Sequence, residues 1–400
     1  MTVGRPRGRR VRRAAAYRFA LLLASAAVAG LVLTACGGSS SNGGAGNSTE
    51  TAEAKAVDAA KAALVTAEGP VPWNSPGPSF DASAARGKSV AYIPIDGTIP
   101  FTSGLYSGFK SAMTAVGVKP VFFDTNGTPP GWAEAVDESI GEKVGAIVLQ
   151  GEDPGEIAPA IAAANAAHIP VIESFIHSAG QPISPGTVAE ATYSVPNIGK
   201  EMADYAIAAG GGKVNSVAIG TDSPVSTLQL AAIKAEFAKL CPATCKVEAT
   251  YQSPTTEWAT QLPTLTPSIL LSHPDLNFMF PLTDGMVQYM VPALKAENKA
   301  SSIKLISFNA TPGVMSNMTQ SDHVLAADVG NPLGWAGYIL ADQALRALTG
   351  KAPVPSADEQ VPLRLFTPTN FSSSELNTNP DTWFGSTDYA SEYQKLWGVG

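Results

Sequence analysis

Two serines stand three residues ahead of a lysine, in Ser107-Gly-Phe-Lys110 and Ser301-Ser-Ile-Lys304. Penicillin-interacting enzymes use that spacing to bring a serine nucleophile to a lysine. Neither copy here has the companions that chemistry needs. Ser321-Asp322-His323 is not S-D-N, and Thr349-Gly350-Lys351 has the letters of K-T-G in the wrong order. Lys110 falls in mid-helix, where a solvated lysine is expected. There is no G-x-S-x-G, no H-E-x-x-H and no Walker loop. The histidines (His168, His177, His273, His323) are too scattered to gather a metal. Residue types and spacing therefore argue against an enzyme, and no cofactor is expected.

The cysteines carry a different chemistry. Cys36 follows Leu33-Thr34-Ala35 and precedes Gly37. Upstream lie an arginine-rich start, Arg5 to Arg18, and an apolar run from Phe19 to Leu33. That run is shorter than the roughly 20 residues that span a bilayer. A basic start, a short apolar core and a small-residue site read as a processed export signal. The residues ending at Cys36 resemble a bacterial lipobox. This implies that Cys36 is acylated, heads the mature chain and tethers it to a membrane by lipid alone; an uncleaved anchor helix is the alternative. Outside the cytoplasm the close pair in Cys241-Pro-Ala-Thr-Cys245 reads as a disulfide over a small loop, with free thiols as the alternative.

The formal charge of the chain is −8, and seven arginines with no acid precede Cys36, which leaves −15 on the remainder. An acidic body does not fit nucleic acid or a broad anionic lipid surface. The roughly 365 residues after the signal are enough for about two domains.

Several elements must hold these groups in place. Gly37 to Ser48 reads as a Gly/Ser/Asn tether, Thr49 to Glu68 as a helix, and Pro70 to Ser79 as irregular. The folded body is expected from near Gly87. Strands are expected at 89–95, 119–124, 146–150 and 169–173, with helices at 104–116, 133–143 and 154–167 between them. The pattern then restarts: helices at 200–209, 228–240 and 286–298, and strands at 214–219, 246–251, 276–281 and 304–308. A strand at 324–329 and a helix at 335–348 follow. Continuous β-branched runs point to parallel strands covered on both faces, and strand–helix alternation to right-handed βαβ units. The aromatics of the tail (Trp383, Phe384, Tyr389, Tyr393, Trp397) are expected to dock it on the body.

Val90-Ala-Tyr-Ile-Pro-Ile95, Pro100-Phe101, Val144-Gly-Ala-Ile-Val-Leu149, Ala166-Ala-His-Ile-Pro-Val171, Thr283-Asp284-Gly285-Met286, Ile306-Ser-Phe-Asn309 and Asn331-Pro332-Leu333-Gly334 occur in a telling order. Their order and spacing resemble the ribose/galactose-type periplasmic binding protein family in its lipoprotein form, from about Gly87 onward. The resemblance implies an α/β, type I periplasmic binding protein fold: two doubly wound parallel-sheet, Rossmann-like lobes joined by a three-segment hinge. After a signal at 1–35 and a lipid-anchored flexible tether with a short helix at 36–86, the first lobe would be 87–191 plus 331–352. The second lobe and tail would be 192–330 plus 353–400. The implied task is capture of a small solute by hinge closure and delivery to the permease subunits of an ABC importer, as a monomer. A sensor that presents its closed form to a membrane receptor would use the same closure. LacI-type repressors share the two-lobed fold, but here an export signal stands where their DNA-binding module would be.

Ligands of open α/β sheets bind beyond the C-terminal ends of the strands. The loops there hold acids, amides and aromatics: Asp96, Phe101, Glu173, Phe175, Asp222, Trp258, Asp284, Asn309 and Asn331. Phe101 matches the family's ligand-stacking aromatic, with core packing as the alternative. Trp258 lines the cleft or caps the core. At least one of Glu152 and Asp153 is expected to open the next helix instead. The family's polar set is otherwise replaced. Phe175-Ile176 stands for its Asp-Arg, Tyr193-Ser194 for its Asp-Asn, Asn309 for an Asp and Gly330 for the hinge Gln, and no arginine lies near Ile233. After Cys36 the only arginines are Arg86, Arg346 and Arg364, none on a cleft loop. Arginine is the usual clamp for carboxylate or phosphate. The expected guest is therefore a neutral sugar or polyol, with a cationic or aromatic small molecule second.

Overall fold

A computed structural model describes residues 44–399, so the export segment and Cys36 lie outside the described residues. Helix α1 (Gly44–Ala67) comes first. The first lobe then runs β1 (Ser89–Pro94), α2 (Pro100–Val116), β2 (Lys119–Phe122), α3 (Pro129–Gly141), β3 (Ala146–Gln150), α4 (Ala158–Ala166), β4 (Val171–Ser174) and β5 (Ala189–Ala191). The five strands are parallel in the order β2-β1-β3-β4-β5. The unbroken apolar run of β1 has a simple cause. Val90 and Tyr92 enter one core with α2, while Ala91 and Ile93 enter a separate core with α3 and α4. A strand covered on both faces alternates between cores, not between core and water.

The second lobe runs α5 (Val195–Ala209), β6 (Val214–Gly220), α6 (Pro224–Leu240), β7 (Cys245–Gln252), α7 (Trp258–Ser272), β8 (Phe278–Pro281), α8 (Val287–Ala296), β9 (Lys304–Asn309), α9 (Pro312–Met315) and β10 (Leu325–Gly330). Its sheet, completed by β11 (Arg364–Phe366), has the order β11-β10-β9-β8-β6-β7, with β11 alone antiparallel. Both sheets therefore repeat one doubly wound topology. A disulfide joins Cys241 and Cys245 between α6 and β7.

Between the lobes the chain crosses after β5, after β10 and along residues 349–363. The first and third crossings run side by side, with Val361 N donating to the Thr192 carbonyl at 2.8 Å. After the second crossing, α10 (Leu333–Leu348) returns to the first lobe, buried on almost every side. Its contact with α2 is a glycine crossing. A Cβ on Gly108 would lie 2.2 Å from the Gly334 carbonyl oxygen, and one on Gly337 would lie 2.3 Å from Phe109 N.

Helix α7 was not foreseen, because Pro263 and Pro267 interrupt its sequence. Trp258, Leu262 and Ile269 lie on one buried face, and that burial outweighs the two missing backbone donors. The three-residue strands β5 and β11 were too short to read.

The segment expected to be a tether is docked along much of its length. Ala56, Ala60 and Leu64 of α1 are buried, and Glu53 lies 3.4 Å from Lys213 of the second lobe. Arg364 Nε donates to the Glu68 carbonyl at 3.0 Å. Trp73 stacks on Trp335 at 5.8 Å, and Phe80 N and Ala82 N donate to the carbonyls of Leu396 and Trp397. The tail closes with α11 (Tyr389–Leu396), which packs on α10. Trp383, Phe384, Tyr393 and Trp397 are buried.

Candidate functional site

In a sheet of order 2-1-3-4-5, the chain leaves the first and third strands in opposite directions and opens a crevice at their C-terminal ends. Both lobes have such a crevice, between β1 and β3 and between β6 and β8. Residues just past these strand ends line a cavity of about 110 Å³.

The first lobe supplies Ile95, Ile99, Phe101, Phe175, Gln150 and Gly151. Gln150 Oε1 already accepts from Thr102 Oγ1 at 3.0 Å. The second lobe supplies Thr221, Ser223, Ser226 and Gln229 from the β6–α6 corner, Thr255 and Trp258 after β7, and Thr283 and Asn309 at the ends of β8 and β9. No lining side chain is charged. Burial pushes the Tyr193 hydroxyl far up, so it stays protonated.

A row of rings crosses the site from lobe to lobe. Phe101 meets Phe175 edge-on at 5.9 Å, Phe175 stacks on Tyr193 at 5.1 Å, and Tyr193 meets Phe308 edge-on at 4.9 Å. Phe175 has φ +61°, a left-handed backbone that bulky residues seldom take. Trp258 holds the second lobe's side. Its Nε1 donates to the Ser253 carbonyl at 3.0 Å, and Gly285 leaves room for its ring, since a Cβ there would lie 2.6 Å from it.

Asn309 (φ +125°) and Ala310 (φ +53°) are strained in the same way. Two buried carboxylates hold that strain from behind. Asp328 accepts from Ala310 N at 2.8 Å, and Asp284 accepts from Thr311 N at 2.6 Å and Thr311 Oγ1 at 2.9 Å. Burial pushes Asp284 up to about 7 against the donors on Thr311, and burial together with the Asp284 charge pushes Asp328 well above the usual carboxylate range. The segment so fixed presents Asn309, whose Nδ2 donates to Thr283 Oγ1 at 2.9 Å.

Of the residues expected from the sequence, Phe101, Phe175, Trp258 and Asn309 share the cavity wall. Five do not line it. Asp96 turns back on its own loop and accepts from Thr98 N and Oγ1. Glu173 is buried behind the first lobe, accepting from Ser184 N at 2.8 Å. Asp222 is exposed and takes Thr255 Oγ1 at 3.2 Å. Asp284 serves Thr311, and Asn331 stands behind Asn309, donating to its Oδ1 at 3.2 Å. Asp153 accepts from Gly155 N and opens the helical turn at 154–157, whereas Glu152 is buried with both oxygens unpartnered and its carboxyl pushed well up by burial.

The sequence reading missed Gln150, Tyr193, Thr283, Phe308 and above all Gln229. The search for the family's arginine stopped at Ile233, which is core. Gln229, one helical turn earlier, lines the cavity together with Val225 and Ser226 of the same helix. The Gly330 substitution also has a cause: a Cβ there would lie 2.4 Å from the Phe366 ring and 2.7 Å from Ala310.

A larger cavity of about 650 Å³ lies on the hinge side, walled by α1, the start of α5 and the third crossing. Of the charged groups on its wall, Lys200 pairs with Asp204 and Glu359 accepts from Tyr393 and Gln343, while Glu201 keeps a buried oxygen without a partner and burial pushes its carboxyl up to about 8. Among the described residues no three His, Cys, Asp or Glu could hold a metal, and no helix is long and apolar enough to cross a membrane.

A family model for the periplasmic binding protein domain matches residues 90–352. The chain belongs to this family. A periplasmic binding protein domain binds its solute rather than transforming it, and the family implies a place outside the cytoplasm. A comparison with curated proteins finds no match. Among solved structures, the 5-methylthioribose transporter solute-binding protein of Thermotoga lettingae superposes with a TM-score of 0.67 at 16% identity, over 79% of this chain and 100% of its own. An Agrobacterium vitis ABC transporter solute-binding protein with bound allitol gives 0.63 at 18% identity, over 73% and 98%. One from Mycobacterium smegmatis with bound glycerol gives 0.63 at 19% identity, over 73% and 98%. These likenesses show the type I periplasmic binding protein fold.

Proposed function

We infer that this family member is a lipoprotein, acylated at Cys36, that closes its two lobes on a small neutral solute and hands it to the permease of an ABC importer. One observation carries the reading: the facing switch points of both sheets converge on a cavity walled by aromatics, amides and hydroxyls, without a charge. Aromatic faces suit the C–H face of a sugar, and amides and hydroxyls suit its oxygens. The structural neighbours with bound allitol and glycerol lend support. The cationic alternative loses ground, because the acids that would have met a cation lie outside the wall. Phe101, Phe175, Trp258 and Asn309 are the ligand contacts in this reading, joined by Gln150, Tyr193, Gln229 and Thr283.

A thermal-shift screen of sugars, polyols, amines and nucleosides tests it. A true ligand at about 100 times its Kd stabilises the protein by roughly 2.7 kcal/mol. A flat melting temperature across the sugars and polyols, with a shift from an amine, would reverse the assignment.

A further inference from the structure

The two walls of the cavity are chemically unequal. Toward the first lobe a guest meets Ile95, Ile99, Phe101 and Phe175, and the one side-chain amide there, Gln150, has its oxygen taken by Thr102, which leaves its Nε2 as the single side-chain amide donor on that wall. Toward the second lobe it meets hydroxyls and amides, Thr221, Ser226, Gln229, Thr283 and Asn309, set among the apolar Val225, Trp258, Leu282 and Phe308. Most of these polar groups satisfy one another. Thr221 and Ser226 lie 3.1 Å apart through their hydroxyls, and Asn309 donates to Thr283.

Gln229 is the exception. It is 1% exposed, and its Nε2 has no partner. A buried amide donor is costly to leave unmade, so almost all such groups in folded proteins are paired. Gln229 forms part of the cavity wall, and an acceptor on the guest that reached this nitrogen would complete it.

Size narrows the class further. At about 110 Å³ the cavity is well below the roughly 300–1,000 Å³ of ordinary ligand pockets. In this conformation a single sugar ring or a short polyol is the upper limit.

We propose that the preferred guest is an uncharged monosaccharide-sized solute that is amphipathic along its length. One end lacks hydroxyls, as in a deoxy or alkyl-substituted sugar, and lies on Phe101 and Phe175; the hydroxylated end faces the second lobe, with an oxygen accepting from Gln229. This rests on the solute-binding reading above and deepens it. A fully hydroxylated sugar would strip water from several oxygens where the first-lobe wall has one amide donor to offer, at Gln150, whereas a methyl end has nothing to lose there.

Titration calorimetry on matched pairs tests the proposal: L-fucose against L-galactose, L-rhamnose against L-mannose, and 5-deoxy-D-ribose against D-ribose, with D-galacturonate and D-glucosamine as charged members. The deoxy member of at least one pair should bind tenfold or more tightly than its parent, and neither charged sugar should compete. Parents that bind as tightly as, or tighter than, their deoxy partners would overturn this inference and leave solute binding standing. No binding by any sugar would overturn both. Phe101→Ser should bring the deoxy-to-parent ratio toward one. Gln229→Leu should weaken both members of the binding pair at least tenfold while leaving the unliganded unfolding midpoint unchanged or higher. Wild-type affinity in that folded variant would remove Gln229 from the site.

Discussion

Two regions of this molecule are rich in stacked aromatics, and only one has the marks of a binding site. On the hinge side, Trp335 stacks on Tyr389 at 5.1 Å and Tyr338 on Trp397 at 5.8 Å, with Trp73 laid over them from the N-terminal segment. The polar ends of these rings are engaged. Trp397 Nε1 donates to Asp342 at 2.7 Å, Tyr393 OH to Glu359 at 2.8 Å and Tyr389 OH to Asp381 at 2.5 Å. In the cleft the ring row sits on left-handed backbone at Phe175 and beside it at Asn309, and a buried amide is left open at Gln229. Aromatic content does not distinguish core from site. Stored backbone strain at non-glycine residues does.

The comparison breaks most sharply if the hinge-side cluster turns out to bind solute. Trp397→Ala removes a fully buried ring. It should cost roughly 3–5 kcal/mol of stability, read by denaturant unfolding, and leave solute affinity untouched at temperatures where the variant stays folded. A folded variant that has lost its solute would erase the distinction.

Next in size is the carboxylate pair behind Asn309. Asp284 is held near 7 in the folded protein, against an ordinary value of 3.8. A raised carboxyl binds its proton more tightly when folded, so its contribution to stability is complete below about pH 4. That contribution fades as the pH rises through 7, at about 1.4 kcal/mol per pH unit. Asp284→Asn should flatten that part of the slope between pH 4.5 and 6.5, measured by urea midpoints, and should also weaken solute binding by loosening Thr311. Identical slopes in the two proteins would mean that the carboxyl is not held there by burial.

The smallest effect belongs to the Cys241–Cys245 loop, away from both clusters. Replacing both cysteines by serine should lower stability by about 2 kcal/mol, because so short a loop constrains the unfolded chain little. Affinity should not change; calorimetry on the double variant would reveal any link to the cleft.

The strands and most helices were legible in the sequence because burial on both faces leaves continuous apolar runs such as 89–95 and 146–150. The docked N-terminal segment was not legible, because a stretch rich in Pro, Gly and Ser reads as flexible until Trp73 and Phe80 find Trp335 and Arg346. The site was half legible. Aromatics past strand ends were found, since few directions are open to a large ring there. The acids were misleading: Asp96 and Asp222 can satisfy themselves on neighbouring loop groups, and sequence position does not say which way a side chain turns. Gln229 was hidden because it sits inside a helix, where only the register against the sheet decides which turn faces the cleft.

The most direct test is a crystal structure of the protein with the tightest-binding sugar of the matched panel. The solute should lie between Phe101 and Phe175 on one side and Gln229 on the other, with an oxygen within hydrogen-bonding distance of Gln229 Nε2. Density for the sugar in the hinge-side cavity beside Glu201 and Glu359, with the cleft empty, would contradict the account.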